Sequence, residues 1–128
     1  MDYNELLEKA KKASENSYSP YSNFPVGACV LMESGKTYIG TNVENSSFGA
    51  TICAERSAIV NAIVNGERKI TAIAIYGPKM KRCTPCGVCR QVMNDFRSDK
   101  GIDIILEDEN GQPEVHTIDE LLPLGFDL

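Results

Sequence analysis

The segment Ile70-Thr71-Ala72-Ile73-Ala74-Ile75-Tyr76 carries no charge and is rich in β-branched residues. It reads as a strand buried on both faces, and such a strand needs a packed layer on each side. The rest of the pattern supplies those layers. Residues 3–16 place Tyr3, Leu6, Leu7, Ala10 and Ala13 at helical spacing, with Lys and Glu opposite. Residues 25–33 and 37–43 read as two strands joined by the turn Glu33-Ser34-Gly35-Lys36. A helix is expected over about 53–65, with Ala58, Ile59, Ala62 and Ile63 as its apolar face and Asn65-Gly66 ending it. Thr84-Pro85 offers an N-cap followed by proline at the first helical position, opening a helix to Phe96 that buries Val88, Val92, Met93 and Phe96. Ile102–Leu106 makes a further strand, Glu114–Thr117 a short one and Ile118–Leu122 a last helical turn. The expectation is a single α/β domain over residues 1–128, a three-layer αβα sandwich around a mixed five-stranded sheet.

Composition narrows the function. A chain of 128 residues is one domain by ordinary count, and it buries roughly two-thirds of its unfolded surface. With 42% hydrophobic residues, disorder is disfavoured, and no apolar run approaches the ~20 residues of a membrane span. The start, Met1-Asp2-Tyr3-Asn4-Glu5, is acidic and lacks the features of a secretory signal. A cytoplasmic protein with reduced thiols is expected. Its five cysteines, an odd number, also point away from a disulfide framework. A net charge of −5 disfavours tracking of a phosphate backbone. Lys79, Lys81 and Arg82 form a short basic cluster that reads as a solvated loop. No nucleic-acid or membrane partner is expected, and a small neutral substrate fits better.

The chemistry lies in Cys53-Ala54-Glu55 and Pro85-Cys86-Gly87-Val88-Cys89. Alone, Cys86-x-x-Cys89 is ambiguous. At a helix N-terminus it suits a thioredoxin-like redox pair, whose pKa the helix would lower. It also suits half of a structural zinc site completed by Cys83 and Cys53, or two buried free cysteines. The first motif separates these. Cys53 and Cys86 each start a helix, so two helix ends can converge, and Cys86 and Cys89 at i, i+3 share a face. Glu55 sits in the first turn, close to the metal without binding it. Three protein ligands with one open position is the pattern of catalytic zinc. Zinc base deaminases in general use this constellation, in a form with three cysteines among others.

The sequence resembles the homotetrameric cytidine deaminases that act on free nucleosides. The resemblance runs through Tyr18-Ser19-Pro20-Tyr21-Ser22-Asn23-Phe24-Pro25-Val26-Gly27-Ala28, Asn42-Val43-Glu44-Asn45, Cys53-Ala54-Glu55-Arg56, Pro85-Cys86-Gly87-Val88-Cys89-Arg90-Gln91 and Glu120-Leu121-Leu122-Pro123. It implies one Zn²⁺ per chain on Cys53, Cys86 and Cys89. On the residues alone, Asn42 and Glu44 are best taken as closing the loop after the second strand. The resemblance instead implies that they hold the ribose hydroxyls, with Asn45 and Ala54 as further substrate contacts. A carboxylate at Glu44 would repel a 5′-phosphate and favour a nucleoside. Phe24, an aromatic that would ordinarily be core, is implied to flank the pyrimidine. Phe126 is implied to reach a neighbouring subunit's site, making a homotetramer with shared sites. Phe48 stands where many relatives carry tyrosine.

Arg56 answers a charge problem. Zinc with three thiolates is already net negative and would acidify water poorly unless that charge were offset. Two helix N-termini and a guanidinium would do so, and the resemblance gives Arg56 this duty, with Arg90 a weaker candidate. The alternative for Arg56 is a surface salt bridge. Cys29 reads as core, Cys83 as a ligand only if the site were structural, and His116 as a solvated strand residue. The implied reaction is hydrolytic deamination of cytidine and 2′-deoxycytidine to uridine and deoxyuridine with release of ammonia. Zinc activates the water, and Glu55 carries its proton to ring N3 and then to the departing amine. A same-fold deaminase of another aminopyrimidine, such as a nucleoside antibiotic, and a non-enzymatic zinc or redox module are the alternatives.

Overall fold

Helix α1, Tyr3–Ser14, starts where the Asp2 carboxylate accepts the Asn4 backbone N–H at 2.9 Å. In this computed structural model, which describes all 128 residues, five strands follow: β1 (Gly27–Met32), β2 (Thr37–Thr41), β3 (Ile70–Tyr76), β4 (Asp103–Glu107) and β5 (Pro113–Thr117). Between them lie α2 (Ala54–Val64) and α3 (Gly87–Asp95), and α4 (Ile118–Leu121) comes last. They form one mixed sheet ordered β2-β1-β3-β4-β5, in which only the β3–β4 pair is parallel.

The period-two alternation of the central strands sorts their side chains between two cores. Ala28, Val30, Met32, Ile73, Ile75, Ile104 and Leu106 join the core made with α2 and α3. Cys29, Ala72, Ala74 and Ile105 face Leu6, Leu7 and Ala10 of α1. Cys29 is therefore a core residue, as expected. The result is the three-layer sandwich with a mixed five-stranded sheet. Both helix layers come very close to the sheet. A Cβ at Gly27 would lie 2.0 Å from the Ala10 carbonyl oxygen, and one at Gly40 would lie 2.2 Å from the Ala58 nitrogen. The helix that carries Glu55 is thus seated directly on β2.

The structure departs from the sequence expectation at the end of β2, at the start of α3 and at Val88. β2 stops at Thr41 because the buried Asn42 side chain redirects the chain, bonding the Phe24 carbonyl and the Val26 N–H. α3 begins at Gly87, and its N-cap is Cys86 rather than Thr84. Pro85 therefore lies outside the helix and Cys86 sits at its mouth. Val88 is exposed, not buried, because Cys89 and Met93 take the inward face of α3 and Val88 is rotated away from it.

Candidate metal centre and active site

Two helix N-termini meet on the α2/α3 side of the sheet. Cys53 is the N-cap of α2 and Cys86 that of α3, both in extended backbone, and Cys89 follows in the first turn of α3. The three sulfurs lie within 4.8 Å of one another, and Cys53 Sγ and Cys86 Sγ are 3.9 Å apart. Tetrahedral zinc with bonds of about 2.3 Å would space its sulfurs by roughly 3.8 Å, so the triangle fits that ion. Cys83 is outside the triangle and instead lines the adjoining cleft.

The charge environment also suits a thiolate-rich centre. Arg56 Nη2 is 3.5 Å from Cys53 Sγ, and Arg56 Nε is buried with no hydrogen-bond partner. A part-buried guanidinium with one nitrogen unsatisfied favours negative charge nearby, and the Cys53 sulfur is what it faces. The surface salt-bridge alternative for Arg56 is excluded, since it makes no ion pair with a carboxylate. The Cys53 thiol is pulled down to about 5, first by the Cys89 thiol hydrogen bond and then by Arg56 and Cys86, against burial. The same pairing with Cys53, together with burial, drives the Cys89 thiol upward. One thiolate at Cys53 is thus favoured at neutral pH, a start on the deprotonation that zinc binding requires.

Glu55 is 4% exposed. Burial, helped by the neighbouring Cys53 charge, raises its carboxyl to about 7, while its own backbone N–H and Arg56 oppose the rise. A carboxyl at that value exchanges protons in both directions near neutrality. It opens on a cleft of about 360 Å³, within the range of small-molecule sites. Phe24, Val26, Asn42, Glu44, Cys53, Ala54, Glu55 and Cys86 line it, together with Ser22, Thr51, Ile52, Cys83 and Thr84.

The polar end of the cleft is held from outside it. Asn42 Oδ1 accepts from Val26 N–H at 3.0 Å and from the Ser17 hydroxyl, and Nδ2 donates to the Phe24 carbonyl at 2.8 Å. One amide N–H stays unspent. Glu44 Oε1 accepts the backbone N–H groups of Tyr21 and Ser22 at 2.9 and 3.1 Å, and Oε2 accepts the Ser22 hydroxyl. These bonds hold its carboxyl below the usual range, the Ser22 hydroxyl contributing most. Sequence reasoning missed Ser17 and Ser22, whose partners Asn42 and Glu44 lie more than twenty residues away, and Thr51, which lies in the cleft wall. It also missed Cys83, which only the folded cleft makes a wall.

Three expected substrate contacts do not line this chain's cleft. Asn45 shapes its own loop, accepting the Ser47 N–H at 2.9 Å and giving its backbone N–H to Thr51 Oγ1. Phe48 is 78% exposed and Phe126 65% exposed. Phe48 packs edge to face on Tyr21, with ring centroids 6.2 Å apart, beside Ser22, Glu44 and Thr51. Arg90 does not face the sulfurs. It donates to the Pro85 and Leu121 carbonyls, because its side chain folds back past the helix start. His116 is paired rather than merely solvated, with Nε2 3.0 Å from a Glu114 oxygen and Nδ1 3.3 Å from a Glu120 oxygen.

Three thiols on two helix mouths, backed by a guanidinium and flanked by a buried non-ligand carboxyl, define the class of zinc-dependent base deaminases. Comparison with known proteins narrows this further. Residues 1–103 match the family model described as the cytidine and deoxycytidylate deaminase zinc-binding region. A cytidine deaminase of Sporosarcina psychrophila is 41% identical over 126 residues, covering 98% of this chain and 92% of that protein. One of Halalkalibacterium halodurans is 40% identical, covering 98% and 95%. The crystal structure of cytidine deaminase from Burkholderia pseudomallei superposes with a TM-score of 0.90 at 41% identity, covering 98% of this chain and all of that one. That from Mycobacterium tuberculosis gives 0.86 at 34%, covering 100% and 99%. The chain belongs to the cytidine deaminase family, and its cofactor is zinc.

Proposed function

We propose that this protein catalyses hydrolytic deamination of cytidine and 2′-deoxycytidine to uridine and deoxyuridine, releasing ammonia. The observation that carries it is the buried Glu55 carboxyl facing the same cleft as Cys53 and Cys86. Cys53, Cys86 and Cys89 hold the zinc, which when bound supplies the Lewis acidity that activates water at neutral pH. Glu55 takes the proton of the attacking water, delivers it to ring N3, and returns a proton to the amine as the C4–N bond breaks. Arg56 offsets the thiolate charge. Phe24 flanks the pyrimidine, and the Ala54 backbone closes the ring's polar edge. The unspent Asn42 N–H and the remaining Glu44 lone pairs meet the ribose hydroxyls. Glu44, kept anionic by the Tyr21–Ser22 turn, repels a 5′-phosphate.

Asn45, Phe48 and Phe126 serve substrate through assembly. In a homotetramer, the exposed Phe48 and Phe126 rings enter neighbouring sites, and the exposed Val60 and Val64 on α2 find a partner. The basic residues after β3 are spent within the chain, Lys81 on Glu107 and Arg82 on Glu114, which supports a free nucleoside over a nucleic acid. No helix is long and apolar enough to cross a membrane. Five free cysteines suit the reducing cytoplasm, with residues 1–128 acting as one catalytic domain. Loss of cytidine absorbance in the ultraviolet on incubation with the purified protein tests the activity. No change with zinc-loaded protein would sink it, and light scattering that shows a fully active monomer would sink the shared site.

A further inference from the structure

The loop before Cys86 has no backbone pairing, although Cys83 and Pro85 are buried and Cys83 packs in the core. Cys83, Thr84 and Pro85 make no backbone–backbone hydrogen bond, and Pro85 has no N–H to give. The last such bond on the approach is Arg82 N–H to the Glu107 carbonyl at 2.9 Å, and the next is Arg90 N–H to the Cys86 carbonyl at 3.0 Å inside the helix. One side chain hydrogen-bonds this segment. Arg90 Nε donates to the Pro85 carbonyl at 2.8 Å, and Nη1 donates to the Leu121 carbonyl at 2.7 Å. Leu121 ends α4, where carbonyls have no partner within the helix. The planar guanidinium thus spans two orphan carbonyls from segments 36 residues apart, a geometry that fixes direction as well as distance. The next polar residues on α3 hold the chain terminus: Gln91 Nε2 donates to the Phe126 carbonyl at 2.8 Å and Asn94 Nδ2 to the same oxygen at 3.3 Å.

We propose that Arg90 is a positioning residue for the metal centre: by tying the Pro85 carbonyl to the end of α4, it holds Cys86 in place for zinc. This rests on the reading of Cys86 as a zinc ligand. Arg90 touches neither sulfur nor substrate, so its effect appears as zinc retention rather than as a lost proton transfer. Zinc retention also comes to depend on α4, although that helix contributes no ligand. The tail contact is separate, because Gln91 bonds Phe126 and leaves Pro85 untouched.

The test is zinc affinity of the folded holoprotein, by competition with a chromogenic chelator. Arg90→Met, which keeps bulk and loses every donor, should bind zinc ~10–100-fold more weakly, the range for partners that orient a metal's ligands. Arg90→Lys, able to reach one carbonyl, should recover part of the loss, and Gln91→Ala should bind zinc normally. With zinc in excess, Arg90→Met should regain most of its kcat at nearly unchanged KM. Wild-type affinity in folded Arg90→Met, no recovery in Arg90→Lys, or an equal loss in Gln91→Ala would each overturn the assignment. If Arg90→Met does not fold, Arg90→Lys decides: weaker zinc binding supports the clamp and wild-type binding overturns it. Cys86→Ala serves as the reference. If it keeps its zinc, the ligand reading fails; if it loses zinc while the Arg90 variants do not, only the clamp fails.

Discussion

Cys53 and Cys86 occupy equivalent places, each the N-cap of a helix pointing at the same spot, yet their approaches are fixed by different means. Before Cys53, Ile52 and Val43 exchange both backbone hydrogen bonds, at 2.9 and 3.0 Å. That bridge continues the line of β2 and is largely indifferent to which side chains flank it. Before Cys86 the backbone is unpaired, and the loop is held by side chains at its two ends: Lys81 on Glu107, Arg82 on Glu114 and Arg90 on Pro85. Half of the metal centre thus inherits its position from backbone pairing that continues the sheet, and the other half depends on core packing of Cys83, Cys89 and Met93 and on a few charged contacts. Substitutions away from the sulfurs should therefore weigh mainly on the Cys86 half.

The largest effects test whether the halves are equal as ligands despite this difference. Cys53→Ala and Cys86→Ala should each lose most of the zinc and essentially all turnover, whereas Cys83→Ala should keep its metal. Metal analysis of the purified variants checks this, and zinc retained in Cys53→Ala would leave the centre to α3 alone. Next comes Glu55→Gln, on the sheet-held half. It should fold and keep zinc but lose turnover by about 10⁴-fold or more, the upper end for a general acid–base group, because one carboxyl serves several transfers. Near-normal kcat would move the proton transfer elsewhere, and loss of zinc would make Glu55 a ligand.

Arg56→Gln sharpens the electrostatic side of the comparison. Arg56 reaches Cys53, not the loop before Cys86, so its loss should act through sulfur charge. Zinc affinity or kcat should fall ~10–100-fold while the fold is retained. Unchanged kinetics and metal content would show that the helix N-termini suffice.

The smallest effect concerns the far end of the Cys86 loop. The Glu107 side chain is 9% exposed, with Lys81 Nζ at 2.5 Å and Lys11 Nζ at 3.0 Å. Burial pushes its carboxyl up, but the hydrogen bonds and charges of Lys81 and Lys11 outweigh this and leave the pKa below its ordinary value. A depressed carboxyl stabilises the fold above its unfolded pKa, and the contribution is lost as pH falls through the folded value. Glu107→Gln should thus cost about 1.5–3 kcal/mol at pH 7 in urea unfolding, the range for hydrogen bonds to charged groups. The gap should narrow below pH ~4.3 and close once the native carboxyl is protonated. A gap that stays constant across that range would assign the effect to packing instead.

Much of this molecule is determined locally. The helical spacing in α1, the uncharged run of β3 and the turn at Gly35 depend on neighbours a few residues away, so the sequence alone determined the elements and the three-layer class. The two cysteine motifs were legible for the same reason, since Cys-Ala-Glu and Cys-x-x-Cys each fit within a helical turn. Tertiary structure decided the rest, because it depends on which distant carbonyls and donors come together. Asn42 has most of its amide taken by Phe24, Val26 and Ser17, Cys83 became a cleft wall outside the sulfur triangle, and Val88 turned to solvent. Arg90 shows the limit most clearly. Its type and spacing suggested a partner for the thiolates, but the packing of α4 against α3 put an unpaired carbonyl within reach, and a guanidinium takes the geometry that satisfies the most orphan acceptors.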